Sequence, residues 1–415
     1  MMVPSSKMIG RGLAAATERF AAELAEPQPH APSWTEFGWR MAHAAAVFHG
    51  VTGLLAGTLR WQGPAGWRHF LEEQRAHTTK RHSRLQELLG VIDVRAREND
   101  IPLVGLKGAA LHALGLYEPG ERPMADIDLL VREADAQRAA ELLASLGYTQ
   151  TGAVWKHQIF EHAQSRAEAR AWQARLSALP LGEHVNHPVK IELHTRIAER
   201  LPLTQIAITE LLFPRRPSPG LNAYPSTNAL LLHLLLHAAG NMCGRQLRLM
   251  HLHDLARLAA SMTTNDWHEL LGMLPASQAP WWALAPLEML HRYQPARVPA
   301  EVLAALRRAS PWWLRRQCRH ANLSQMSLAS VSIPAFPGLA WCTTHGERLR
   351  YVRERIVPGP EQLAARRLVA TEQWAMQRSW THLSQGRRVL QWLFGRPARQ
   401  ASMYIARAAL EQPRA

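Results

Sequence analysis

The stretch Arg122-Pro123-Met124-Ala125-Asp126-Ile127-Asp128-Leu129-Leu130-Val131 constrains this chain more than any other. Its second half is short, apolar and rich in residues that suit a pleated, buried strand. Successive side chains in a strand alternate faces, so Asp126 and Asp128 project from the same side. Two ionised carboxylates held that close repel each other, which raises a pKa or calls for a cation. A hard divalent cation with oxygen ligands resolves the conflict, and magnesium is the natural choice. The competing reading is an edge strand with two solvated aspartates.

The residues upstream favour a binding site. Ile101 to Leu106 has the pattern of a short buried strand, Lys107-Gly108 that of a turn, and Ala109 to Leu114 that of a helix. A strand, a glycine-bearing turn and a helix start present free backbone N–H groups to an anion. Gly108 permits close approach of the backbone to a ligand, and Lys107 adds a point charge. A phosphate cradle followed by an Asp-x-Asp strand is a layout for a nucleoside triphosphate (NTP) with magnesium.

These residues resemble a known family. Leu106-Lys107-Gly108-Ala109-Ala110-Leu111, Tyr117, the Arg122 to Val131 stretch, Leu146-Gly147-Tyr148, Ile191-Glu192-Leu193-His194, His233, His237 and the segment from Asp254 through Trp267 are similar to the uncharacterised bacterial nucleotidyltransferase family of the polymerase-β-like superfamily. The similarity runs from about Pro102 to Leu271. One departure stands out: the wider superfamily opens its helix with a Gly-Ser pair, and this chain has Lys107-Gly108. The resemblance implies an α+β fold with a small mixed sheet, an NTP substrate, magnesium and transfer of a nucleoside monophosphate to an acceptor hydroxyl. The acceptor could be a small molecule, a protein or RNA.

In the strand Val189 to His194, alternation puts Lys190, Glu192 and His194 on one face and Ile191 and Leu193 on the other. If this strand lies beside the Asp126 strand, Glu192 completes a cluster of three carboxylates. Such a cluster suits two divalent ions roughly 3.5–4 Å apart. Asp126, Asp128 and Glu192 are therefore the expected catalytic and metal-holding residues. Lys107 and Gly108 are expected at the triphosphate, with Arg122 and Arg248 as further phosphate contacts. His194, His233 and His237 are expected to support the site rather than to ligate the metal.

The remaining chain divides into four expected parts. Residues 1–33 read as a flexible tail with one weak helix, closed by Pro27, Pro29 and Pro32. Residues 34–98 read as N-terminal helices broken at the Gly63 to Gly66 turn, 99–215 as the catalytic core with a helical insertion over Gln164 to Leu181, and 216–415 as a helical C-terminal region. Ser226 is the expected N-cap of an apolar helix carrying His233 and His237 four residues apart.

His233, His237 and His253-Asp254 also fit part of the pattern of a His-Asp metal-dependent phosphohydrolase. That pattern needs a further aspartate, and Asp266 has the position of an N-cap. A catalytically silent nucleotide- or nucleic-acid-binding protein on the same scaffold is the other alternative.

Charge and cysteines narrow the class. Forty-eight Lys and Arg against 33 Asp and Glu give a net charge of +15, which favours acidic partners. Cys243, Cys318 and Cys342 lie far apart without a CxxC pair, so neither a zinc site nor a disulfide framework is expected. No uncharged apolar run reaches membrane-spanning length, and no signal peptide is read at the N-terminus. A cytoplasmic protein is the expectation.

Overall fold

A computed structural model describes residues 4–173, 181–275, 279–329, 331–360, 363, 383–395 and 400–411. Its centre is a six-stranded mixed sheet in the order β3-β4-β5-β2-β1-β8. The strands are β1 (Pro102–Gly105), β2 (Asp126–Val131), β3 (Tyr148–Val154), β4 (His157–His162), β5 (Lys190–His194) and β8 (Gly220–Asn222). β2 pairs in parallel with β5 and antiparallel with β1. The remaining pair, β6 (Ala198–Leu201) and β7 (Thr204–Ala207), forms a separate two-stranded sheet.

The alternation along β2 explains how the sheet is covered. Ile127, Leu129 and Val131 join Leu103, Ile191 and Leu193 in one apolar cluster. That cluster is closed by Leu85, Leu89 and Ile92 of α4 (Ala65–Glu98) and by Ala139, Leu142 and Leu143 of α6 (Ala136–Ser145). Leu130 and Val104 face the other way, into a larger core with the C-terminal helices. Asp126 and Asp128 share the face of Leu130, so the carboxylates look toward those helices rather than into solvent.

α8 (Thr227–Cys243) is the central helix of the larger core. Leu230, Leu231, Leu232, Leu235 and Leu236 are all buried, so the helix is apolar around most of its circumference, as a helix enclosed on all sides must be. The Ser226 side chain accepts from the Ala229 N–H at 3.2 Å and caps it as expected. α9 (Leu249–Ala259), α10 (Thr264–Gly272) and α11 (Leu284–Tyr293) pack against it. Helices at Ala300–Ala309, Trp312–His320, His345–Ile356, Gln385–Phe394 and Gln400–Glu411 follow.

Several expectations need correction. The segment 1–33 is not a tail: α1 (Ser6–Ala25) buries Ile9, Leu13, Ala16 and Phe20 in the larger core. Phe20 stacks on Trp67 of α4 with ring centroids 5.7 Å apart. The helical pattern after Trp34 is two helices, α2 (Glu36–His49) and α3 (Thr52–Thr58), separated where Gly50 adopts a left-handed φ of 68°. β6, β7 and β8 were not anticipated. Of the expected insertion, α7 (Ala163–Gln173) is observed, and residues 174–180 lie outside the described residues. Asp266 is not the N-cap of α10. Thr263 is, and Asp266 closes a reciprocal capping box on it.

No helix among the described residues is long and apolar enough to cross a membrane. The three cysteines are buried and free.

Candidate active site

Strand pairing brings the acidic residues to one place. In the parallel β2–β5 register, Asp128 lies opposite Glu192 and Asp126 opposite Lys190. β4 continues the sheet on the far side of β5 and sets His157 opposite His194. Asp126, Asp128, Glu192, His194 and His157 all line one cleft of about 500 Å³. The expected adjacency of Glu192 to the aspartate strand is thus present.

Asp128 is the most heavily bonded of the three acids. Its Oδ1 accepts from Lys107 Nζ at 2.8 Å and from His194 Nε2 at 2.9 Å. Burial would raise its pKa, but Lys107 and His194 together hold it well below the usual carboxylate range. Asp126 makes no such bonds. Burial, then the charges of Asp128 and Glu192, push its pKa up to about 6. Glu192 Oε2 lies 3.4 Å from His194 Nε2 and 3.5 Å from His157 Nε2. His194 is pulled in opposite directions: burial lowers its pKa, and its bonds to Asp128 and Glu192 raise it to a net increase. Burial lowers the pKa of His157 to about 4 despite Glu192.

Lys107 reaches Asp128 from a strained backbone. It caps α5 (Gly108–Ala113) with φ 45° and ψ −111°, a conformation L residues seldom adopt and one that costs of order 1–3 kcal/mol. Its N–H donates to the Tyr224 hydroxyl at 3.3 Å, and that hydroxyl donates to His233 Nδ1 at 2.7 Å. His233 is therefore a buried support for the Lys107 turn, reached through Tyr224. A Cβ on Gly108 would meet Arg122 Nη1 at 2.6 Å and Met124 Sδ at 2.7 Å. Close packing of the turn on these side chains requires glycine there.

The helices form the opposite wall. His237 and Asn241 of α8 and Arg248, Met250 and His251 around the start of α9 line the cleft. His237 Nε2 lies 3.2 Å from Asn241 Nδ2, and its ring packs on His251 at 5.0 Å. Arg248 is exposed at the cleft wall. Arg122 is differently placed. Its Nε and Nη2 donate to the two oxygens of Asp254, both at 2.8 Å, and Tyr117 donates to Asp254 Oδ1 at 2.7 Å. Most of the Arg122 guanidinium is thereby committed to a buried strut between the sheet and α9. Both oxygens of Asp254 are occupied in the same way, which removes the aspartate that the His-Asp phosphohydrolase pattern requires.

Donor groups for a metal are present. Among the described residues, one ligand atom each from His157, Glu192 and His194 lies within 4.8 Å of the others. The Nδ1 atoms of His157 and His194 are buried without a partner. The repulsion that Asp126 feels from Asp128 and Glu192, and the carboxylate oxygens of all three acids, make the same cleft fit a divalent cation.

The family described as uncharacterised nucleotidyltransferase matches residues 35–293, more than half of the chain. The chain belongs to that family. No curated protein and no solved structure matches it. The span matched starts in the N-terminal helices and ends at the close of α11, so this nucleotidyltransferase family unit includes both walls of the cleft.

Lys156 and His157 of the cleft, the second of which opens β4, were not legible in the sequence, nor was Tyr224, which lies behind the Lys107 turn. Lys156 Nζ binds Glu199 Oε1 at 2.9 Å at the cleft edge. Strand alternation within β4 carries no hint that its first residue meets His194. Only the β4–β5 register supplies that.

Proposed function

We propose that the cleft binds an NTP with magnesium and transfers its nucleoside monophosphate to an acceptor hydroxyl. The acceptor oxygen forms a bond to the α-phosphorus, the bond to the leaving pyrophosphate breaks, and the hydroxyl proton passes to water. The register pairing of Asp128 with Glu192, with Asp126 on the same face, carries this reading.

In it, Asp126, Asp128 and Glu192 hold the metal, with room in their chemistry for two ions. Magnesium bound there supplies neutralisation of phosphate charge. Lys107, beside Asp128 on the turn, would meet the triphosphate, and Arg248 would contact phosphate from the helical wall. Gly108 keeps the turn close-packed. His194 positions Asp128, and His233 holds the Lys107 turn through Tyr224. His237 shapes the cleft wall. Arg122 orients α9 against the sheet. Catalysis then depends on positioning and on charges fixed in advance, with no covalent enzyme intermediate. Three buried, free thiols fit a reducing cytoplasm.

One observation favours a second reading, a nucleotide-binding protein without turnover. The ammonium of Lys107 already sits on Asp128, where a metal would be needed. A single experiment separates the two. Full-length protein is incubated with Mg2+, each α-labelled NTP and cell extract, and label transfer and pyrophosphate are followed. The enzyme labels an acceptor and releases pyrophosphate, and Asp126→Asn or Asp128→Asn abolishes both. NTP binding without either product identifies the silent protein.

A further inference from the structure

A second pocket, rich in arginine, includes Arg245, three residues before Arg248 of the cleft wall. It encloses about 530 Å³ and is lined by Arg245, Arg316, His320 and Arg348, together with Trp313 and Gln317, and by no acidic residue among the described ones. A concentration of guanidinium groups without a carboxylate is costly unless an anion joins them.

The arginines are held in place rather than loose. The Arg348 guanidinium lies 3.7 Å over the Trp313 ring, which fixes its plane by cation–π contact. Arg316 approaches the neighbouring Trp312 ring at 5.6 Å. Arg245 sits in a turn with φ 54°. Its carbonyl accepts from the Ala329 N–H at 3.1 Å, and the Leu247 N–H donates to the Met326 carbonyl at 3.0 Å. The nearest acid on the Arg348 helix, Glu347, is engaged by Thr343 at 2.6 and 2.7 Å.

Two donors on the arginines that line this pocket, Arg245 Nε and Arg348 Nη1, are buried and make no hydrogen bond among the described residues. A buried unsatisfied donor on a charged group is expensive, and such groups in native proteins are commonly completed by an ion or ligand. Burial also lowers the proton affinity of Arg245, a penalty that an anion would offset. Planar guanidinium groups with free N–H donors match the tetrahedral oxygens of phosphate better than they match a halide.

We infer that this pocket is a phosphate-binding site, distinct from the catalytic cleft. The ligand is a phosphate group, carried by a small phosphorylated compound or by a nucleic-acid backbone. Residues Arg245 to Arg248 connect the two sites: Arg245 lines this pocket, and Gln246 and Arg248 line the cleft.

The test is calorimetric titration of the full chain with inorganic phosphate in EDTA. Wild-type protein and the Arg248→Ala variant, which changes an exposed residue of the cleft wall, should bind alike. Arg348→Ala should weaken binding about tenfold or more, as expected for losing a charge-assisted hydrogen bond. Should Arg348→Ala lower the melting temperature, Arg316→Glu on an exposed side chain decides the question. Competition by a short 5′-phosphorylated RNA strand assigns the site to nucleic-acid phosphate, and its absence assigns it to a small phosphorylated compound. No phosphate binding to the wild type overturns the inference. So does binding that survives Arg316→Glu and disappears with Arg248→Ala.

Discussion

Asp126 and Asp128 are two residues apart on one strand, yet their electrostatic situations are opposite. Asp128 has Lys107 and His194, and Asp126 has neither. The pKa of Asp126, raised to about 6, implies that the folded protein holds its proton more tightly than the unfolded chain, whose value is 3.8. Its contribution to stability is therefore present below pH 4 and lost as pH rises through about 6. Without metal, wild-type protein should lose melting temperature over that window relative to Asp126→Asn, which cannot titrate there. Millimolar Mg2+ should remove the difference, because the ion binds the ionised form. Parallel pH curves for the two proteins in EDTA would exclude the assignment.

Lys107 supports a related prediction. Lys107→Met removes the ammonium and leaves Asp128 with His194 alone. Breaking a buried pair in this way should cost about 3 kcal/mol without metal. Magnesium should restore much of the loss by replacing the missing charge, read as a metal-dependent gain in denaturation midpoint that exceeds the wild-type gain. Equal gains would mean that Lys107 and the metal do not compete for Asp128.

At the scale of elements, α1 shows what local pattern reveals and what it conceals. Ile9, Leu13, Ala16, Phe20 and Leu24 recur at helical spacing and are buried, but Pro27, Pro29 and Pro32 and a polar flank gave the segment the look of a tail. It packs on the next helix, α2, and on elements much farther along the chain. The Thr17 hydroxyl pairs with His49 Nε2 at 2.9 Å, and His49 Nδ1 accepts from the Leu249 N–H at 3.0 Å. Burial lowers the His49 pKa to about 3, which keeps the ring neutral as this bridge among α1, α2 and α9 requires. Phe20→Ala should therefore cost about 3–5 kcal/mol, measured by chemical denaturation. A change under 1 kcal/mol would return α1 to the status of an appendage.

The same reasoning explains which parts of the sheet and site were legible. β2 and β5 could be read because strict alternation with acids on one face is a two-residue pattern, visible within six residues. β8 has three residues, begins at Gly220 with φ 98°, and exists only by pairing with β1 more than a hundred residues earlier. No local signal carries that information. Likewise, Glu192 was found from its own strand, whereas His157 enters the site only through the β4–β5 register. Arg122 was legible as a charge near the motif, but its pairing with Asp254 across 132 residues was not.

That pairing governs the molecule as a whole. Arg122 precedes β2, Asp254 lies on α9, and the cleft is the space between the sheet and the helices that the pair ties together. Arg122 is 9% exposed and Asp254 2%, so neither charge can turn to solvent if its partner is lost. Asp254→Asn keeps volume and the hydrogen bond to Tyr117 but leaves the Arg122 charge uncompensated, at a cost of about 3–5 kcal/mol. Adding Arg122→Met removes the stranded charge, so the double variant should regain a large part of that loss. A phosphohydrolase built on His253 and Asp254 predicts something else: Asp254→Asn would abolish a phosphate-releasing activity at nearly unchanged stability. Denaturation midpoints of wild type, the two single variants and the double variant, taken with NTP-dependent phosphate release, decide between a strut and a metal ligand. If the strut holds the cleft walls, NTP binding in Asp254→Asn should weaken with the fold and recover with it in the double variant.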